Sequence, residues 1–188
     1  VPDSRCSLFA QIAADGTHIL FDGTTNYVYD PSVEPTITRL TLDLEYFDEL
    51  ELPDLGFTFD EIEGGVLLYE KDGYNTGALQ ALYPDDTTEE VWSCTDWLHD
   101  SWGCAANSVV WIPATDTVLW SMYNTDTIAE IDRQTGELVR YFGQLNGGYQ
   151  FDPPGSVVDY QHYPSYTPDG TLIVSTHVLG DHTQRARE

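Results

Sequence analysis

Positive charge is scarce in this chain. Of 188 residues only seven are Lys or Arg, and a single one of these, Lys71, is a lysine; 32 acidic residues bring the formal net charge to −25 at pH 7. Binding a phosphate backbone needs a cationic stripe, so nucleic acid is excluded as a partner, and an anionic membrane surface with it. Long hydrophobic runs are missing too. No stretch of 18 apolar residues and no signal-peptide pattern occurs, so membrane insertion by a helix is not expected. The calcium-loop spacing of an EF-hand is absent, and no other metal-ligand cluster stands out. Neither metal nor cofactor is therefore expected, and the acidic excess reads as a solubility device. Helical periodicity is poor from end to end.

What is present is a core. Apolar residues make up 41% and aromatics 13% of the chain, enough to fill one domain of this length. The acidic residues are scattered among Val, Ile, Leu, Tyr and Trp rather than blocked together, as on the solvated faces of a folded protein. Short apolar or alternating segments recur: THILFD, TITRLTLD, GVLLYEK, ALQALY, SVVWIP, TVLWSM, TIAEID, ELVRYFG and TLIVST. These read as strands separated by turn residues. Turns near Gly16, Gly65, Asp116 and Gly170 precede an apolar strand each time and recur every 49 to 54 residues. That is the period of a propeller blade with some loop insertion. The expectation is an all-β chain, a β-propeller of four-stranded antiparallel blades. Residues 1–188 form a single domain or fragment, with blade-like units near 8–48, 55–93, 105–143 and 158–188, about three and a half blades. Each blade has apolar faces that only neighbours can cover, so a longer parent propeller is expected. A first residue of Val1 instead of Met points to a processed or excised start.

Three cysteines help to place the chain. Cys94 and Cys104 flank a polar loop in WSCTDWLHDSWGCAAN. A disulfide there would contribute about 2–3 kcal/mol by loop closure; a reduced pair of buried thiols is the alternative. Without metal-ligand spacing the disulfide is favoured, which implies a secreted, periplasmic or cell-surface protein. Cys6 is left over.

The scarce cations collect at one end. Tyr160 to Glu188 hold three of the five histidines, His162, His177 and His182, together with Arg185 and Arg187. The segment NSVVWIPATDTVLWSMYNTDTIAEIDRQTGELVRYFG, followed by YQHYPSYTPDGTLIVST and TQRARE, resembles the arylsulfotransferase family of secreted β-propellers. The likeness covers Trp92 to Glu188 and is diffuse before that. It implies a six-bladed parent and transfer of a sulfuryl group from a phenolic sulfate ester to a phenol through a sulfated histidine, with no nucleotide sulfate donor. Small aromatic sulfates and phenols are the implied partners. Sulfuryl transfer spreads negative charge over equatorial oxygens, which cationic donors stabilise, while a histidine manages the phenol proton near neutral pH.

Carried over residue by residue, His162 matches the family's Gln-His histidine and Arg185 its active-site arginine. These two are the candidate catalytic residues. The family's His-Ala-Asn-Ser element reads Ala105-Ala106-Asn107-Ser108 here, so one histidine is missing. His99, His177 and Asn107 are possible secondary site residues, His99 only if the cysteine loop folds inward. The resemblance places the nucleophilic histidine in a later blade, beyond Glu188, so residues 1–188 alone are not expected to run the full reaction. The rival expectation is a non-catalytic extracellular propeller that binds a ligand or protein through its loops. Oligomeric state, donor and acceptor are not legible.

Overall fold

The computed structural model describes residues 10–22, 35–43, 45–72, 76–149, 159–178 and 183–187. Cys6 and His182 lie outside the described residues, as do the side chains of His177, Arg185 and Arg187. The first sheet contains β1 (Ala10–Ile12), β2 (His18–Asp22), β3 (Thr36–Thr41) and β4 (Tyr46–Glu51). The second contains β5 (Leu55–Ile62), β6 (Val66–Lys71), β7 (Ala78–Leu82) and β8 (Thr88–Ser93). The third contains β9 (Ala106–Ile112), β10 (Thr117–Met122), β11 (Thr127–Asp132) and β12 (Leu138–Gly143). The fourth contains β13 (His162–Tyr166), β14 (Leu172–Val178) and β15 (Thr183–Arg187). Within each sheet the strands pair antiparallel in chain order, the meander of a propeller blade.

The recurrent turns explain that order. Gly16, Gly65, Asp116 and Gly170 all lie in the hairpin joining the first two strands of a sheet, at φ 70°, 74°, 53° and 87°. A tight hairpin needs a left-handed residue, which glycine supplies without strain and aspartate tolerates.

Apolar faces then lock the sheets together. All six residues of β10 are buried, because one face meets the second sheet and the other the fourth. Trp120, 0% exposed, packs against Trp92 with ring centroids 5.7 Å apart, in a core cluster that also holds Leu68, Leu79 and Ile131; truncating it to alanine would cost about 3–5 kcal/mol. Leu20, Ile37, Phe59 and Tyr69 fill the seam between the first two sheets. Strands β5, β9 and β13 pack side by side and form the axial layer. Among the described residues strand packing runs from the second sheet to the third and from the third to the fourth, and none of comparable extent joins the first sheet to the fourth, as in an open ring.

The loop expected between Cys94 and Cys104 is more ordered than its sequence implies. It folds into α1 (Cys94–Leu98) and α2 (Ser101–Cys104), and the two cysteines, both fully buried, form a disulfide with Cα atoms 5.6 Å apart. Ser93 caps α1, its Oγ accepting from the Asp96 N–H at 3.3 Å. The Trp120 indole donates to the Cys104 carbonyl at 2.9 Å, and Trp97 packs 5.1 Å from Tyr141. Helices this short carry no periodic signature that could betray them.

Candidate functional site

The axial strands are tied by side chains of one blade accepting backbone N–H groups of the next. Thr58 Oγ1 on β5 accepts from Val109 at 3.0 Å, and Asp60 Oδ2 accepts from Trp111 at 2.7 Å. One blade on, Ser108 Oγ on β9 accepts from Tyr163 at 2.9 Å. Glu70 at the end of β6, fully buried, takes the N–H groups of Phe57 at 2.9 Å and Ala106 at 2.7 Å. Burial pushes its carboxyl up to about 8 against the pull of those two donors.

This repeat fixes the place of His162. Ser108 pairs across its sheet with Ser121, and His162 pairs with Ser175. Val109 and Tyr163, each donating to the preceding blade, directly follow Ser108 and His162 in the chain. His162 thus stands in the fourth blade where Thr58 and Ser108 stand in the second and third, an imidazole in place of a hydroxyl. It is half-buried, and the Tyr123 ring lies 6.3 Å from it. Tyr160 in turn packs 4.6 Å from Tyr123. The backbone of Tyr160 is held by Asp126, whose Oδ1 accepts its N–H at 3.0 Å. Burial, then the nearby Asp159 charge, raises the Asp126 carboxyl. The arrangement is an imidazole near one phenolic ring, Tyr123, against which a second, Tyr160, packs; such a group can stack an aromatic ring, and an imidazole can exchange a proton with it.

Gln161 anchors the strand that carries His162. Its side chain donates to the carbonyls of Met122 at 2.8 Å and Thr127 at 3.1 Å, and its own carbonyl accepts from Asn107 and from Ser121 Oγ. Asn107 is therefore a buried tie between blades. Tyr163 reaches toward the first two blades: partial burial, then the carboxylates of Asp22 and Asp60, hold its phenol above its ordinary value. Asp60 itself is pushed up to about 7, mainly by burial.

The other sequence-derived residues are spread out. Arg185 lies on β15 opposite Thr176. The row His162–Ser175–Ala186 runs across the sheet beside it, so Arg185 is two strands from His162 and one residue off its row. His177 lies on β14 opposite Gln184. His99 is exposed at the C-terminus of α1, at φ 57°, with its N–H on the Thr95 carbonyl. Ala105, where the resemblance would have a histidine, is 2% exposed.

A second constellation lies between the first two blades, at the end marked by the Gly16 and Gly65 turns. A cavity of about 470 Å³ is lined there by residues that include His18, Arg39, Glu61 and Asp15. Glu61, 6% exposed, has His18 Nε2 3.3 Å from Oε1 and Arg39 Nη2 3.4 Å from Oε2. Arg39 also donates to Asp48 at 2.9 Å, and His18 Nδ1 lies 2.9 Å from Thr17 Oγ1. Sequence reasoning did not find this group. Its members sit 21 and 22 positions apart on three strands, and the alternation of β2 and β3 was its only trace.

Four-stranded meanders placed side by side around an axial layer define the chain as a β-propeller. No family model matches it, and no curated protein matches it in sequence. Solved structures do. Hydrazine synthase from Kuenenia stuttgartiensis is 12% identical at a TM-score of 0.59, the match covering 98% of this chain and 46% of that one. A streptogramin B lyase is 14% identical at 0.58, covering 100% and 56%. A catalytically inactive virginiamycin B lyase from Staphylococcus aureus, with quinupristin, is 13% identical at 0.56, covering 100% and 57%. The chain spans about half the length of these structures. At such identities the likeness establishes the architecture and nothing about chemistry.

Proposed function

We propose that this chain contributes its blades to an arylsulfotransferase-type propeller that moves a sulfuryl group from a phenolic sulfate ester to a phenol. The observation that carries the reading is the imidazole of His162 in a position that holds a hydroxyl in the two preceding blades, with the ring of Tyr123 next to it. The order of motifs from Trp92 to Glu188 adds to it. In this mechanism a histidine outside residues 1–188 attacks sulfur, forming an N–S bond as the ester S–O bond breaks. His162 gives the leaving phenolate its proton and later takes one from the acceptor phenol as the N–S bond breaks. Arg185 donates to the sulfuryl oxygens as their charge develops. The surplus of acidic residues makes such a local cation necessary for an anionic ester.

The second reading is a binding propeller without catalysis. Buried Ala105 in place of a histidine favours it, as does the row offset between Arg185 and His162. In that case His162 bonds the backbone of a following blade, as Thr58 and Ser108 do. The test is to mix the intact protein with a chromogenic phenyl sulfate and a phenol acceptor. The sulfotransferase reading expects His162→Ala to slow phenol release by about 100-fold. Equal release from both proteins removes it.

A further inference from the structure

Four successive carbonyls at the end of the disulfide clasp go to one segment of the third blade. Those of Trp102, Gly103, Cys104 and Ala105 accept in turn from Asn124 Nδ2 at 2.8 Å, Thr125 Oγ1 at 3.3 Å, the Trp120 indole at 2.9 Å and the Tyr123 N–H at 3.2 Å. The last turn of a helix leaves its carbonyls without partners inside the helix. Here α2 gives them to the end of β10 and to the short turn Tyr123–Thr125 that follows. The support is firm, because the Cys94–Cys104 bond closes the clasp and both cysteines are fully buried.

The other side of that turn meets the strand of His162. Gln161 donates to the carbonyls of Met122 and Thr127, which bracket the turn, and Asp126 just beyond it accepts the Tyr160 N–H. Tyr160 and Tyr163, on either side of Gln161 and His162, have left-handed backbones at φ 47° and 48°. Bulky residues avoid that region, so the surroundings must hold the segment in shape. The Tyr123 ring stands between the two halves, 4.6 Å from the Tyr160 ring and 6.3 Å from the imidazole, both within the range of aromatic contact. We infer that Tyr123 is a positioning residue for His162 and that the disulfide clasp sets it. The clasp fixes the turn, the turn fixes the Tyr123 ring, and the ring limits the orientations open to the imidazole. The clasp thereby acts on the His162 site without touching it. This coupling is the same whether His162 moves a proton or only binds, so it stands apart from the sulfotransferase reading.

The test is the NMR signal of the His162 ring protons in the 188-residue chain, assigned with His162→Gln. Tyr123→Leu removes the neighbouring ring current and marks where that signal lies without it. Two further variants loosen the support and keep Tyr123 in place. Cys94→Ala with Cys104→Ala opens the clasp, and Asn124→Ala with Thr125→Val removes only the side-chain bonds to Trp102 and Gly103. Each should move the His162 signal from its parent position toward the Tyr123→Leu position, while the signal of His18, on the first sheet, stays put. If the cysteine variant fails to fold, the Asn124 and Thr125 pair decides. A His162 signal that Tyr123→Leu leaves unmoved overturns the inference, as does one unmoved in either folded support variant. So does a displacement of His18 as large as that of His162, the mark of general loosening.

Discussion

Arg133 grips Asp116 through two bonds of 2.7 Å, Nε to Oδ1 and Nη2 to Oδ2. The same carboxylate accepts from the Trp111 indole at 3.0 Å and from Gln134 at 2.9 Å. Asp116 is the left-handed residue of the β9–β10 hairpin, so one side chain closes that turn and fastens it to the β11–β12 turn. The Arg133 guanidinium holds its carboxyl well below the usual range. A lowered carboxyl contributes stability that is present above its ordinary value of 3.8 and fades as pH falls below it. Asp116→Ala should cost about 1–2 kcal/mol at neutral pH, modest because the pair is partly exposed. Denaturant unfolding at pH 7 and near pH 2 should show the deficit shrinking in acid.

Removing a hydroxyl from the axial ladder leaves a buried N–H without its acceptor. Thr58→Val and Ser108→Ala should each cost about 1–3 kcal/mol. The ladder account fails if denaturant midpoints for both variants match the parent.

Asp60 and Glu70 work against the fold as pH rises. Their carboxyls ionise near 3.8 and 4.5 when unfolded but near about 7 and about 8 in place, chiefly through burial. Between these limits the unfolded chain holds fewer protons, so their contribution to stability falls as pH climbs from about 4 to about 8 and is flat above. The pH slope of unfolding free energy should be shallower over that window in the Asp60→Asn, Glu70→Gln double variant than in the parent. Parallel slopes would show that burial does not move these groups.

The disulfide closes an eleven-residue clasp against Gly77, where an added Cβ would come within 2.5 Å of Cys104 Cβ. Cys94→Ala with Cys104→Ala should lower stability by about 2–3 kcal/mol. Gly77→Ala should also destabilise, because both the clash and its φ of 57° oppose a side chain. Calorimetric melting under oxidising and reducing conditions separates the effects: reduction should lower the melting point of the parent but not that of the double cysteine variant.

Much of the architecture was legible because it rests on local chemistry. The four turn positions were visible as recurring Gly or Asp before an apolar strand, and all four proved to be left-handed residues of equivalent hairpins. Nine strands showed through their apolar runs. Strand β8, TEEVWS, was hidden by three exposed residues at its start, and β13 by the proline and the bulge between His162 and Ser165. The sequence favoured a Cys94–Cys104 disulfide over a reduced pair, and the structure has that bond, but α1 and α2 were not legible, since tertiary packing of Trp97 and Trp120 shapes that segment. His162 could be singled out from its motif. Its equivalence to Thr58 and Ser108 could not, because the bonds that define it join residues more than 50 positions apart. The His18–Glu61–Arg39 cleft was invisible because its members come from three strands of two blades, 21 and 22 positions apart.

Because each acceptor on an axial strand is filled by the backbone of its successor, the blades are not interchangeable tiles. The fastening has a polarity, like scales laid from one edge: Thr58 receives the third blade and Ser108 the fourth. Reversing the order in which two neighbouring blades follow one another would turn the hydroxyl edge of one away from the amide edge it now receives. Lineages that lengthen such a ring by duplication would therefore have to copy the hydroxyl together with the strand it receives.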